Sequence, residues 1–181
     1  MRAFSIALAV AVCSISAVAQ QIGAENLAPD IPTPQIVVDR MLEAGRVKPG
    51  DTVYDLGSGD GRVVITAAQK FGAKAVGIEL RSDLCRVANE RVKALGLQNR
   101  VQIVQGNALR ADVSAADVVT MYFLTSSNEL VRPNLEKYLK PGARVVSNQF
   151  PIKGWKPVET VKAKSGRMDY AIYVYEIGHT K

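Results

Sequence analysis

With 181 residues, 48% of them hydrophobic and 22% charged, the chain can bury one core of ordinary make-up; its length argues for one domain, and it holds no repeat or low-complexity tract. The formal charge of +6 permits an acidic partner but demands none, because Lys and Arg are spread along the chain. The first 19 residues stand apart. Met1-Arg2 is a short basic start, Ala3 to Val12 is almost wholly apolar, and Ala17-Val18-Ala19 before Gln20 has the A-x-A form of a secretory cleavage site. The expectation is a signal peptide over 1–19 and an exported protein, periplasmic or secreted. A cytoplasmic or membrane-anchored protein is the alternative if the segment is uncleaved, although the apolar stretch is short for a span. Val12 before Cys13 does not suit a lipoprotein site. Cleavage would leave Cys85 as the only cysteine, a small buried helix residue by its neighbours Leu84, Val87 and Ala88.

Residues 20–33 are polar and proline-bearing and read as an extended lead-in to a domain over 34–181. Pro34 suits a helix start, and Ile36, Val37, Met41 and Leu42 recur at helical spacing before Gly45. Strands at 52–56, 75–79 and 101–105 alternate with helices at 61–71 and 83–95. A fourth strand falls at 117–123. A helix with Leu130, Leu135 and Leu139 leads into Lys140-Pro141-Gly142 and a fifth strand at 143–147. Two further β-like runs, 157–163 and 169–177, flank the turn Lys164-Ser165-Gly166-Arg167. The alternation predicts an α/β fold: a Rossmann-like doubly wound, mostly parallel seven-stranded sheet with an antiparallel C-terminal hairpin. Such sheets bind ligands beyond the carboxyl ends of their strands, where Asp55, Glu79, Asn107 and Tyr122 fall.

The most telling run is Val53-Tyr54-Asp55-Leu56-Gly57-Ser58-Gly59-Asp60-Gly61-Arg62. A short strand ends in an acid and a loop with glycine at every second position, and a helix follows. Glycines let the main chain turn sharply and let a ligand lie against it, while the helix points free N–H groups at the same spot. Glu79 ends the next strand, 20 residues after Gly59, where a carboxylate grips ribose hydroxyls in such folds. A dinucleotide fingerprint needs G-x-G-x-x-G, and its last position here is Arg62. The G-x-G-x-G form with an upstream acid instead resembles motif I of class I methyltransferases that use S-adenosyl-L-methionine. An oxidoreductase binding NAD is the competing reading.

Methyl transfer from a sulfonium needs only an aligned nucleophile and exclusion of water. Methylation of base amino groups often shows Asn/Asp-Pro-Pro-aromatic after the fourth strand; this chain has Met121-Tyr122-Phe123-Leu124. Carbon methylation of cytosine needs a loop cysteine, and Cys85 sits on a predicted helix. No metal-ligand cluster is evident, and His179, the single histidine, reads as a solvated tail residue.

A wider resemblance runs over residues 31–160. Pro32-Thr33-Pro34, Val37-Val38 and Met41-Leu42 precede the glycine loop. Asn128-Glu129-Leu130, Arg132-Pro133, Leu135-Glu136, Lys140-Pro141-Gly142, Val145-Val146-Ser147 and Gly154-Trp155 follow the fourth strand. Together these resemble the small archaeal protein-lysine methyltransferases and their relatives that modify the ATP synthase c subunit. The resemblance implies that Thr33, Gly57, Ser58, Gly59 and Gly61 hold the methionine end of S-adenosyl-L-methionine, with Asp55 toward its ammonium. It implies Glu79 on the ribose and Asn107, through its side-chain oxygen, on the adenine amino group. Tyr122 and Phe123 would line an acceptor channel, with Trp155 a further candidate. The implied partner is a protein lysine side chain and not a nucleic acid. A small-molecule methyltransferase and an exported, non-catalytic nucleotide-binding module stay open, the latter because the cofactor is made in the cytoplasm.

Overall fold

The computed structural model describes residues 31–180; the expected signal peptide and the expected lead-in up to residue 30 lie outside the described residues. Helix α1 (Gln35–Ala44) starts behind Pro34, whose carbonyl accepts the N–H groups of Val37 and Val38 at 2.9 and 3.0 Å. Strand β1 (Thr52–Leu56), helix α2 (Arg62–Phe71), β2 (Lys74–Glu79), α3 (Ser82–Ala94) and β3 (Val101–Gln105) follow. Then come β4 (Val118–Met121), α4 (Thr125–Tyr138), β5 (Arg144–Asn148), β6 (Glu159–Ser165) and β7 (Met168–Glu176).

The strands form one seven-stranded sheet in the order β3-β2-β1-β4-β5-β7-β6. The first five run parallel, and β7 pairs antiparallel with both β5 and β6. The expected hairpin is therefore present, and its second strand lies inside the sheet. Order reverses between β1 and β4, so the cleft beyond their carboxyl ends is the switch point.

Two cores flank the sheet. On one face Val37, Val38, Met41 and Leu42 of α1, Val64 and Ala67 of α2 and Val92 of α3 cover Val53, Ala75, Val118, Val146, Ile172 and Val174. Each fully buried aliphatic side chain contributes about 1.5–3 kcal/mol. On the other face Val131, Leu135 and Leu139 cover Val119, Met121, Val145 and Tyr175. The expected stripe through Leu130 is corrected: Leu130 is 58% exposed. The inward positions of α4 belong instead to Asn128, Val131, Asn134 and Leu135. Both asparagines earn those places by hydrogen bonding to turns. Asn134 donates to the carbonyl of Ala111 at 2.8 Å, and Asn128 donates to those of Phe150 and Pro151.

Candidate active site

The loop between β1 and α2 folds as its glycines require. Gly57, Gly59 and Gly61 have φ of +76°, +54° and +77°, a region that L side chains avoid. The N–H groups of Gly57 and Ser58 both donate to the carbonyl of Ile78, at 2.8 and 3.1 Å, which lashes the loop to β2. Glu79 completes the anchor: Oε2 accepts the Gly59 N–H at 2.8 Å and Oε1 the Arg81 N–H at 2.9 Å. Each glycine is bare for its own reason. A Cβ on Gly57 would lie 2.8 Å from the Phe123 ring, and one on Gly61 would lie 3.1 Å from Ala88 of α3. One on Gly59 would meet no protein atom within 4 Å, so that stretch of main chain faces open space.

That space is a cleft of about 330 Å³. Thr33, Asp55, Gly57, Ser58, Gly59, Glu79 and Asn107 all line it, as do Tyr122 and Phe123. Gly61 is the one predicted site residue outside its lining; it packs on α3 instead. Phe123 is buried at 4% exposure with its ring against Gly57, so it forms floor, whereas Tyr122 is half-buried at the rim. Trp155 is corrected. It lies in the α4-side core, its indole N–H on Glu136 at 2.9 Å and its ring edge toward Tyr175 at 5.6 Å.

The chemistry of the lining is specific. Asp55 is buried and accepts the Thr120 hydroxyl at 2.6 Å. Burial raises its carboxyl to about 7; the Thr120 hydrogen bond opposes the rise, and the negative charges of Glu79 and Asp60 add to it. Asn107 Oδ1 accepts the Leu109 N–H at 2.9 Å and keeps a second lone pair, while its buried Nδ2 is left without a partner. Asn107 therefore offers the cleft an acceptor and a donor. Ser58 Oγ is likewise buried and unpartnered.

Sequence reasoning missed Arg62 as a structural part of this wall. Its guanidinium grips Asp60 through Nε and Nη2 at 2.9 and 2.8 Å, and Nη1 donates to the Thr33 carbonyl at 2.8 Å. The residue that breaks a dinucleotide fingerprint thus ties the lead-in to the glycine loop. Burial pushes the Asp60 carboxyl up, but the hydrogen bonds and charge of Arg62, joined by the charge of Arg91, together outweigh it and hold the carboxyl below its usual range.

A second turn lies behind the Tyr122 ring. Tyr122 stacks on Phe150, ring centroids 6.1 Å apart and planes 21° apart. Burial raises the Tyr122 phenol, with Tyr170 adding to the effect. Phe150 follows a tight turn in which its N–H donates to the carbonyl of Asn148 at 2.8 Å and Gln149 has φ +66°. The Gln149 N–H donates to Ala171 O at 2.6 Å, and Gln149 Oε1 accepts the Ala171 N–H at 3.1 Å. Ser147 Oγ donates to Phe150 O at 2.6 Å. No glycine marks this turn, so the only sequence signal was Pro151 after it.

An open α/β sheet with this order, a glycine loop after β1 and an acid at the end of β2 defines a class I methyltransferase. The chain belongs to the family of the ANTKMT methyltransferase domain, whose model matches residues 55–159. It is 49% identical over 154 residues to a protein-lysine N-methyltransferase of Saccharolobus islandicus (strain REY15A), covering 84% of this chain and 96% of that one. It is 31% identical over 140 residues to the adenine nucleotide translocase lysine N-methyltransferase of Mus musculus, covering 77% of this chain and 59% of that one. Among solved structures, an RNA methyltransferase from Salinibacter ruber in complex with S-adenosyl-L-homocysteine is 46% identical, with a TM-score of 0.76, covering 81% of this chain and 94% of that one.

Proposed function

We propose that the domain transfers a methyl group from S-adenosyl-L-methionine to lysine side-chain amines of a protein. The cleft carries this reading, because its unmet groups match that donor. Glu79 keeps lone pairs on both oxygens for ribose hydroxyls, and the Asn107 Nδ2 donor suits an adenine ring nitrogen. Asp55, when ionised, suits an ammonium, and the bare main chain at Gly59 suits close approach. When bound, the donor would supply a methyl on a sulfonium to the lone pair of an amine that has already given its proton to water, its sulfur keeping the electrons of the broken S–C bond.

The chain's residues do the rest. A free lysine has a pKa of about 10.4, and an apolar, aromatic rim favours its neutral form by desolvation. Tyr122 and Phe123 line the cleft, and Phe150 backs the Tyr122 ring. The likeness to a protein-lysine N-methyltransferase along 96% of its length supports a protein acceptor. The solved relative described as an RNA methyltransferase makes RNA the rival. Charge at the cleft favours protein: Arg62 and Arg91 are paired with Asp60, and Arg81 with Asp83, which leaves these guanidinium groups less free for phosphates. Labelled S-adenosyl-L-methionine offered to a panel of basic proteins and to RNA tests the choice. Label on lysine, rising with pH, supports it; label on RNA alone, or on small molecules alone, overturns it.

The basic start, the apolar run and Ala17-Val18-Ala19 support an exported protein cleaved after Ala19. Intact mass from the native host beginning at Gln20 supports this, and a cytoplasmic product retaining Met1-Arg2 overturns it. Among the described residues no helix is long and apolar enough to cross a membrane.

A further inference from the structure

We propose that Arg62 is a positioning residue for the methyl donor: it holds Thr33 by the carbonyl and so seats the strap Ile31-Pro32-Thr33 against the donor's amino-acid end. The proposal rests on the donor reading above and gives Arg62 a part in it.

The first observation is the aim of Arg62. It is the first residue of α2, directly behind the glycine loop. Its Nε and Nη2 lie on the two carboxylate oxygens of Asp60 at 2.9 and 2.8 Å, a parallel fork that fixes the plane of the guanidinium. Asp60 is itself clamped by Arg91 of α3, whose Nη1 reaches its carboxylate at 2.7 Å and its carbonyl at 2.8 Å. With the fork filled, Nη1 of Arg62 donates to the Thr33 carbonyl at 2.8 Å. The glycine loop, α2 and α3 together thus set the direction of one bond to the strap. The main chain of Arg62 makes a second tie. Its carbonyl accepts the Thr66 hydroxyl at 2.7 Å, and Gln35 Nε2 donates to that hydroxyl at 3.0 Å. Arg62 is therefore linked to the chain on both sides of Pro34.

The second observation is what the strap offers. Ile31, Pro32 and Thr33 all line the cleft. Pro32 and Pro34 have no N–H, and Pro34 keeps Thr33 extended. The Thr33 N–H is therefore the single main-chain donor between residues 32 and 34. Thr33 is 8% exposed, yet among the described residues neither its N–H nor its hydroxyl has a hydrogen-bond partner. Its carbonyl, the acceptor, is taken by Arg62. Two free donors beside an occupied acceptor suit an anion, and the anion of the donor is its carboxylate.

The third observation is place. The sheet order runs β3-β2-β1-β4 across the cleft. Asn107 follows β3 and Glu79 ends β2, so the base and the ribose belong on that side. The amino-acid end then falls beyond β1 and β4, toward Asp55. The strap enters from there, because α1, which follows it, packs on α2 and on β5, β6 and β7.

Arg62→Gln removes both the fork and the bond to Thr33. Arg62→Lys keeps the charge, but one ammonium cannot fill the Asp60 fork and reach Thr33 together. Calorimetry with S-adenosyl-L-homocysteine and with 5′-methylthioadenosine, which lacks the amino-acid end, reads the difference. Both variants should bind S-adenosyl-L-homocysteine about 10–100-fold more weakly than wild type, and 5′-methylthioadenosine within about twofold. Equal losses for the two ligands would mean a distorted glycine loop and would overturn the proposal. So would wild-type affinity for S-adenosyl-L-homocysteine in either variant. If neither variant folds, the wild-type protein decides. There S-adenosyl-L-homocysteine should slow hydrogen exchange at the Arg62 guanidinium and the Thr33 amide, and 5′-methylthioadenosine should not. The same effect from both ligands, or none from either, overturns the proposal. Failure of the donor reading looks different: the wild-type protein then binds neither ligand.

Discussion

Two turns at the same end of the sheet solve one problem in opposite ways. After β1 the chain reverses through Gly57, Gly59 and Gly61, all at positive φ, where glycine avoids the steric penalty. After β5 it reverses through Gln149, also at positive φ, where a Cβ adds about 1–2 kcal/mol. The first turn needs bare main chain, because Phe123 crowds Gly57 and Ala88 crowds Gly61. The second needs a side chain, because the Gln149 carboxamide must reach the Ala171 N–H. Strain is avoided where bare backbone lines the cleft, and held by hydrogen bonds where a side chain anchors the turn.

The sharpest way to break this contrast is Glu79→Ala. It removes the acceptor for the Gly59 and Arg81 N–H groups together with the proposed ribose contacts. At roughly 1.5–3 kcal/mol per charged hydrogen bond, cofactor affinity by calorimetry should drop about 100-fold or more, and an unchanged affinity would discard the assignment. Next is Gly57→Ala, which combines positive φ with a Cβ only 2.8 Å from the Phe123 ring. Urea unfolding should show a loss of about 2–4 kcal/mol, against about 1 kcal/mol for Gly59→Ala, where no protein atom is near. Equal losses at the two positions would mean that Phe123 yields freely.

Asp55 supplies a pH test. Its folded carboxyl sits at about 7, above its unfolded value, so the unliganded fold prefers the protonated form. Stability should therefore decline as pH rises from about 4 to about 7, and Asp55→Asn should flatten that slope. Affinity for the ammonium-bearing cofactor should move the other way, rising several-fold from about pH 6 to about pH 7.5. An affinity that is flat over this window would rule out an ionised Asp55 as the ammonium's partner. The smallest effect belongs to Gln149→Gly. Relief of strain and loss of the Ala171 bond are each about 1 kcal/mol, so stability should change by less than about 1 kcal/mol. A large loss would show that the second turn is not strained.

The first turn was legible in the sequence because its needs are written in residue types that do little else. Alternating glycines and strand-end acids at Asp55 and Glu79 have few other uses. Strand–helix alternation was legible for the same reason, as Gly45, Gly96 and Pro141-Gly142 interrupt periodic segments. The second turn was not, since Asn148, Gln149 and Asn128 are ordinary polar residues until the sheet sets them side by side. Leu130 misled because leucine at helical spacing predicts an inward face. The helix in fact turned Asn128 and Asn134 inward, where turns needed donors.

The place of β7 in the sheet sets an order of assembly. Both hydrogen bonds that anchor Gln149 itself go to Ala171, which belongs to the last strand to leave the ribosome. The donor cleft draws on residues 31–123, which are made earlier. A nascent or partly frayed molecule without β7 would therefore hold every residue of the donor cleft while the turn that carries Phe150, the stacking partner of Tyr122, lacked its anchor. The cradle can be built before its neighbour is fixed.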